Sequence, residues 1–160
     1  MTLHPSHNDI PLYAFSLSPH SLSATVVIFN SIINACAYTI GDPIEQRQAM
    51  ETATFMLREL EASTHAKADQ ITYGTFLKTC QTQMPQSDTR RQLVGVVFRK
   101  CVKDGQVGQL VLDQLRSITT RSEYDELLGD SANIVNWRQL PDNWKRNVVE
   151  GKRYRRQKLL

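Results

Sequence analysis

An apolar motif that returns along the chain constrains its fold more than any other feature. Phe29, Ile32, Ile33 and Cys36 are followed 44 residues later by Tyr73, Phe76, Leu77 and Cys80. Both quartets have the spacing i, i+3, i+4, i+7, which is one face of an α-helix. Flanking positions agree in kind: Val27 with Ile71, Ser31 with Thr75, Ala35 with Thr79. A third copy begins 34 residues further on, where Val107, Leu110 and Val111 fall under Tyr73, Phe76 and Leu77. A helical face recurring at such intervals marks stacked helical hairpins, each burying its apolar side against its neighbours.

The stretches between copies read as second helices. Gly41-Asp42-Pro43 stops one helix and starts the next, with Asp42 as N-cap, Pro43 in the first turn and Glu45 reaching back in a capping box. That helix runs to about Glu61 with Ala49, Ala53, Met56, Leu57 and Leu60 on one face. Met84-Pro85 ends the following helix, Ser87 or Asp88 caps another carrying Leu93, Val97 and Cys101, and Asp104-Gly105 closes it. A helix near Val107–Ser117 and a shorter one at Tyr124–Leu128 complete the series. The expectation is an all-α chain, a helical-hairpin repeat array (α-solenoid) of two full repeats and one degenerate repeat over residues 25–130. A flexible leader at 1–24 precedes it, and a C-terminal segment with a basic tail occupies 131–160.

Charge is distributed unevenly. The net charge is +3, yet from Arg138 to Leu160 eight basic residues face only Asp142 and Glu150, so the body of the chain is slightly acidic. The first basic residue is Arg47. A basic end on such a body suits attraction to phosphate, or is simply a solvated tail. Residues 1–24 hold no Lys or Arg, which argues against a secretory n-region and an Arg-rich transit peptide. Leu22 to Ile40 is free of charge and long enough to raise the question of a membrane span. Its polar residues, among them Ser23, Asn30 and Asn34, leave the bulky apolar ones on one face, so it reads as a buried amphipathic helix, with no membrane partner.

Chemistry-bearing motifs are sparse. The three cysteines lack C-x-x-C spacing, and Cys36 and Cys80 fall at equivalent repeat positions where a small side chain allows close helix approach. His4-x-x-His7 is the nearest approach to a metal motif, and the other two histidines are remote. Neither a nucleophile–base pair nor a Gly-rich phosphate loop is present, so no enzyme, metal or cofactor is expected.

The run Val26-Val27-Ile28-Phe29-Asn30-Ser31-Ile32-Ile33-Asn34-Ala35-Cys36 and the run Asp69-Gln70-Ile71-Thr72-Tyr73-Gly74-Thr75-Phe76-Leu77-Lys78 resemble the openings of pentatricopeptide repeats. The resemblance covers about residues 25–117. The close Leu140-Pro141-x-x-Trp144-x-x-Asn147-Val148, followed by basic residues, is similar to the ends of some divergent organellar members. The resemblance implies single-stranded RNA as ligand, with one base per repeat read by two or three side chains, and a mitochondrial or plastid setting. It implies that Asn30 and Asp69 touch the base edge, a pair that in the family favours uracil, and that Val27 and Ile71 clamp the base. In the second and third copies the residue matching Asn30 is glycine, Gly74 and Gly108. Phosphate contacts are expected from the tail residues Lys145, Arg146, Lys152, Arg153, Arg155 and Arg156. Two alternatives stay open. Asn30 and Asp69 also suit purely structural work, the latter as an N-cap, and a helical-repeat scaffold for other protein subunits fits the uncharged first helix as well as an RNA-binding adaptor does.

Overall fold

The computed structural model describes residues 19–150, and these are helical with no strand. Seven α-helices follow one another: α1 (Pro19–Ala37), α2 (Pro43–Ala62), α3 (Gln70–Gln83), α4 (Asp88–Lys103), α5 (Gln109–Ile118), α6 (Arg121–Leu128) and the single turn α7 (Asp142–Lys145). Short 3-10 turns at Gly129–Ser131 and Trp137–Gln139 lie between α6 and α7. Because α1 starts at Pro19, residues 19–24 belong to a helix and not to the expected leader. Residues 1–18 and 151–160, with them His4, His7, Lys152, Arg153, Arg155 and Arg156, lie outside the described residues.

Local sequence sets the boundaries. Asp42 accepts the amides of Ile44 and Glu45, at 2.8 and 2.9 Å, while the Glu45 carboxylate accepts the Asp42 amide, closing the expected box at the start of α2. Ser87 caps α4. Thr120 and Glu123 form a further box that starts α6 at Arg121, three residues earlier than the apolar pattern alone indicates. Gly105, at φ 65°, follows α4 in the left-handed conformation that glycine adopts without a Cβ clash.

α3 is the central helix, packed between α1 and α5 and backed by α2 and α4. Tyr73, Phe76, Leu77 and Cys80 are almost wholly buried there, and they join Ile33, Leu57, Leu60, Val97, Phe98, Val111, Leu112 and Leu115 in one continuous core. The α1–α3 contact is also polar. Thr82 donates to the Ala37 carbonyl and the Gln83 amide to those of Cys36 and Thr39, at 2.8–3.0 Å, while the Thr79 hydroxyl donates to the Thr75 carbonyl of its own helix at 3.0 Å and lies 3.3 Å from the Ile33 carbonyl. These donors satisfy carbonyls at the end of α1, which has no glycine directly after it to turn the chain back.

Two expectations are corrected. The charge-free helix is buried on one side only: Ile33, Cys36 and Ala37 are inside, whereas Val27 and Ile28 are more than half exposed, and Tyr38 and Ile40 lie beyond the helix, exposed to solvent. No helix among the described residues is long and apolar enough to cross a membrane. The third copy also sits in a different register. Gly108 is the N-cap of α5, as Asp69 is of α3, so the spacing between these equivalent positions is 39 residues rather than 34. Val111, Leu112 and Leu115 therefore take the places of Thr72, Tyr73 and Phe76, and Val107 lies before the helix with its amide on the Trp144 carbonyl. Gly108 consequently answers to Asp69, and Asp113, not Gly108, answers to Asn30. Matching on three apolar positions misjudged the length of the Asp104–Gly108 connection.

The chain after α6 folds back over the end of the stack. Leu140 is buried, the Trp144 ring meets Phe98 edge-on at 5.7 Å, and the Asn147 amide donates to the Gly105 carbonyl. Arg116 and Gln109 on α5 donate to carbonyls of Ile134 and Val135.

Candidate nucleic-acid interface

Asn30 and Asp69, 39 residues apart, are in direct contact. Asn30 projects from α1 and is 8% exposed, and its Nδ2 donates to Asp69 Oδ1 at 3.2 Å. Asp69 stands just before α3 as its N-cap and accepts the Thr72 amide at 2.9 Å. Thr72 completes the group. Its hydroxyl accepts the Asp69 amide at 3.1 Å and lies 2.6 Å from Asn30 Oδ1 and 3.0 Å from Asp69 Oδ1, with one proton to give between those two acceptors. Asn30 is thus held in a fixed orientation by two partners, and the Asp69 Oδ2 atom carries no hydrogen bond among the described residues.

Apolar side chains flank this group. Val27, one turn before Asn30 on α1, is 56% exposed, and Ile71, in the first turn of α3, is 49% exposed. Leu110 holds the same position in α5, second in its helix, and is 38% exposed. The 34-residue offset conceals this role of Leu110 in the sequence. The dipeptides Gln70-Ile71 and Gln109-Leu110 would have found it at the correct register.

Gly74 has a packing reason. A Cβ on Gly74 would sit 2.5 Å from Leu110 Cγ, so α3 and α5 approach closely only because that position is bare. A Cβ on Gly108 would lie 1.8 Å from the Gln70 side-chain oxygen. Gln70 itself donates to the Val149 carbonyl at 3.0 Å, which fixes the end of the described chain beside the start of α3.

Lys145 and Arg146 are otherwise engaged than as bare phosphate ligands. Lys145 pairs with Asp142 at 3.3 Å and donates to the Arg138 carbonyl. Arg146 donates to the carbonyls of Asn143 and Lys103, fastening the C-terminal segment to the end of α4. Both still carry charge, but their donors tie down backbone.

A cleft of about 700 Å³ opens next to this group, and sequence reasoning missed it. The ends of α2 and α4, the loop before α3 and the Arg146–Asn147 backbone surround it, and Lys67, Lys100, Lys103 and Arg146 bring four cations to its walls. Glu61 is bound to Lys100 at 2.7 Å. Asp104 accepts the Tyr73 hydroxyl at 2.5 Å. Burial, and after it the adjacent Asp104 carboxylate, raises the Tyr73 phenol well above its ordinary range, so it is a neutral donor. Lys100 and Lys103 could be noticed as an i, i+3 pair ending a helix, but their meeting with Lys67 and Arg146 depends on the tertiary fold.

The cysteines have no chemistry to offer this surface. All three are free and buried, and burial pushes the Cys80 thiol up to about 12. Among the described residues no cluster of His, Cys, Asp or Glu could hold a metal ion. No family model, no curated protein and no solved structure matches the chain.

Proposed function

We propose that the α1–α6 hairpins stack as a pentatricopeptide-like solenoid that binds single-stranded RNA along the start of α3, as an adaptor in organellar RNA metabolism. One observation carries this reading: Asn30 and Asp69 meet at 3.2 Å, with exposed Val27 one turn before Asn30 on α1 and exposed Ile71 two residues after Asp69. A base laid against Val27 and Ile71 would present its edge to the second Asn30 amide proton and to Asp69 Oδ2. A donor beside an acceptor complements uracil, whose N3–H lies between two carbonyl oxygens. The packing of α1 and α5 on either side of α3, each with the following helix against it, supports the hairpin reading. Stacking is worth about 1–3 kcal/mol per base, so one reading position gives weak, salt-sensitive binding that needs adjacent contacts to become useful.

The test is fluorescence anisotropy with 12-nucleotide oligo-U, oligo-A and oligo-C at 50 and 200 mM salt. The expected result is a preference for oligo-U that persists at 200 mM. Asp69→Asn keeps an N-cap of equal quality but turns part of the acceptor into a donor, so the preference should vanish while the melting temperature moves little. Equal binding of all three oligomers, erased by salt, would overturn the reading.

A second reading has its own observation. Ile28 on α1 and Tyr38 just beyond it, with Ile44 and Phe55 on α2, are all more than half exposed, and α1 carries no charged residue. Such a face suits burial against another protein subunit. Under that reading Ile28→Ser/Tyr38→Ser would weaken assembly with the partner and leave anisotropy with RNA untouched.

A further inference from the structure

We infer that the cleft walled by Lys67, Lys100, Lys103 and Arg146 is a binding site for a phosphate group, and that it holds the backbone phosphate beside the base read at Asn30 and Asp69. The second half of this inference rests on the RNA reading above, and the first half does not.

Four cations and two carboxylates, Glu61 and Asp104, line the cleft; Lys100 is paired with Glu61, whereas Asp104 accepts only the neutral Tyr73 hydroxyl, so the walls are positive by two charges. The carbonyls that end α4 are also covered, that of Lys103 by Arg146 and that of Asp104 by the Asn147 side chain at 2.8 Å. The negative end of α4 is therefore met by neutralising donors before its lysines are counted. Lys67 and Lys103 remain, both exposed and both without a carboxylate partner among the described residues. Two uncommitted ammonium groups, with a third paired ammonium and a guanidinium on the same walls, favour a compact anion with several acceptor oxygens. The cleft, at about 700 Å³, has room for a phosphate with its attached sugar.

Position links the cleft to the base-reading group. Lys67 and Ala68 line it, and Asp69 follows directly in the chain. Ile71 and the cleft-lining Tyr73 are two residues apart on α3 and so project from nearly opposite faces, and a strand whose base rests against Ile71 reaches the cleft by rounding the loop that carries Lys67. This gives the phosphate contact that the sequence reading sought in the tail, and it comes from three separate elements of the folded chain.

The experiment compares Lys67→Ala/Lys103→Ala with Arg47→Ala/Arg58→Ala, which removes the same charge from exposed positions on α2. Oligo-U anisotropy is measured from 50 to 200 mM salt. Two lost phosphate contacts should flatten the slope of log affinity against log salt by about 1.4, at about 0.7 per contact for a single strand, while the α2 variant keeps the parent slope. In parallel, inorganic pyrophosphate is titrated into the whole chain, and the Gly105 and Val107 amide signals are followed by NMR. Shifts that saturate in the parent and are absent in Lys67→Ala/Lys103→Ala support the cleft. Should those shifts appear while no oligonucleotide binds, the cleft stands as a site for a free phosphorylated ligand and the RNA reading falls. Equal slope changes in both double variants, or pyrophosphate leaving both signals unmoved, would overturn the cleft even if a uracil preference were found.

Discussion

Thr72 shows how much a single side chain can hold together. Its hydroxyl receives the Asp69 amide and gives its proton toward Asn30 or Asp69, so it joins the α3 cap to a residue 42 positions earlier on α1. Thr72→Val keeps shape and burial but leaves Asn30 Oδ1 with no donor in a dry site. We expect a loss of about 1–3 kcal/mol in urea unfolding, the ordinary penalty for an orphaned buried acceptor. At the same scale, buried acids make stability fall in alkali. An unfolded cysteine thiol loses its proton near 9.0, whereas the folded Cys80 keeps it to about 12. Between those values the unfolded state binds fewer protons, so the unfolding free energy declines as pH rises, by up to about 1.4 kcal/mol per pH unit for one fully linked group. Tyr73, raised in the same direction, adds to the decline once unfolded phenols titrate above about 10. Urea midpoints from pH 8 to 11 check this, and Cys80→Ala should make the fall between 9 and 10 shallower, with buried Cys101, raised in the same direction, keeping part of it. The Asp42–Glu45 box was legible in the sequence because its partners are three residues apart. The hydrogen bond between Tyr73 and Asp104 was not, because 31 residues of folded chain bring it about.

The same division holds for the helices. Caps and breakers placed the starts of α2 and α4 and the ends of α3 and α4, since each depends on a short stretch of sequence. The register of α5 escaped, because the apolar residues Val107, Leu110 and Val111 fit a helical face equally well when the helix begins elsewhere. What fixes α5 is its contact with α3 at Gly74, where Leu110 lies over the bare backbone. In the parent chain Gly74→Ala forces the Leu110 side chain aside, and we expect a cost of about 1–2 kcal/mol from overpacking. In a Leu110→Ala background the obstacle is gone, and the same substitution should stabilise by up to about 1 kcal/mol through helix propensity. A double-mutant cycle read by chemical denaturation measures the difference. Equal effects in both backgrounds would mean that α3 and α5 do not approach as described.

Across the whole molecule the two ends of the stack are built differently. At the α5 side, Leu140 and Trp144 from the C-terminal segment add to the core, and Arg116, Gln109 and Val107 are bonded to that segment. Trp144→Ala should lower stability by about 2–3 kcal/mol, less than for a fully buried tryptophan. Thermal melts followed by far-UV circular dichroism would show it. None of this was visible in the sequence beyond the resemblance of the Leu140–Val148 run, since nothing local says which surface such a segment will cover. At the other side α1 is held by α2 on one flank and by the donors Thr82 and Gln83 of α3 on the other, and among the described residues Val27 and Ile28 on its outer face are uncovered. Opening should therefore start at α1 and proceed inward, with those side-chain bonds to α1 carbonyls breaking together. The three sulfurs lie along that route, Cys36 in α1, Cys80 in α3 and Cys101 in α4. Under slow iodoacetamide alkylation Cys36 should be modified well before the other two, so the chain carries its own built-in clock for the order in which its layers part.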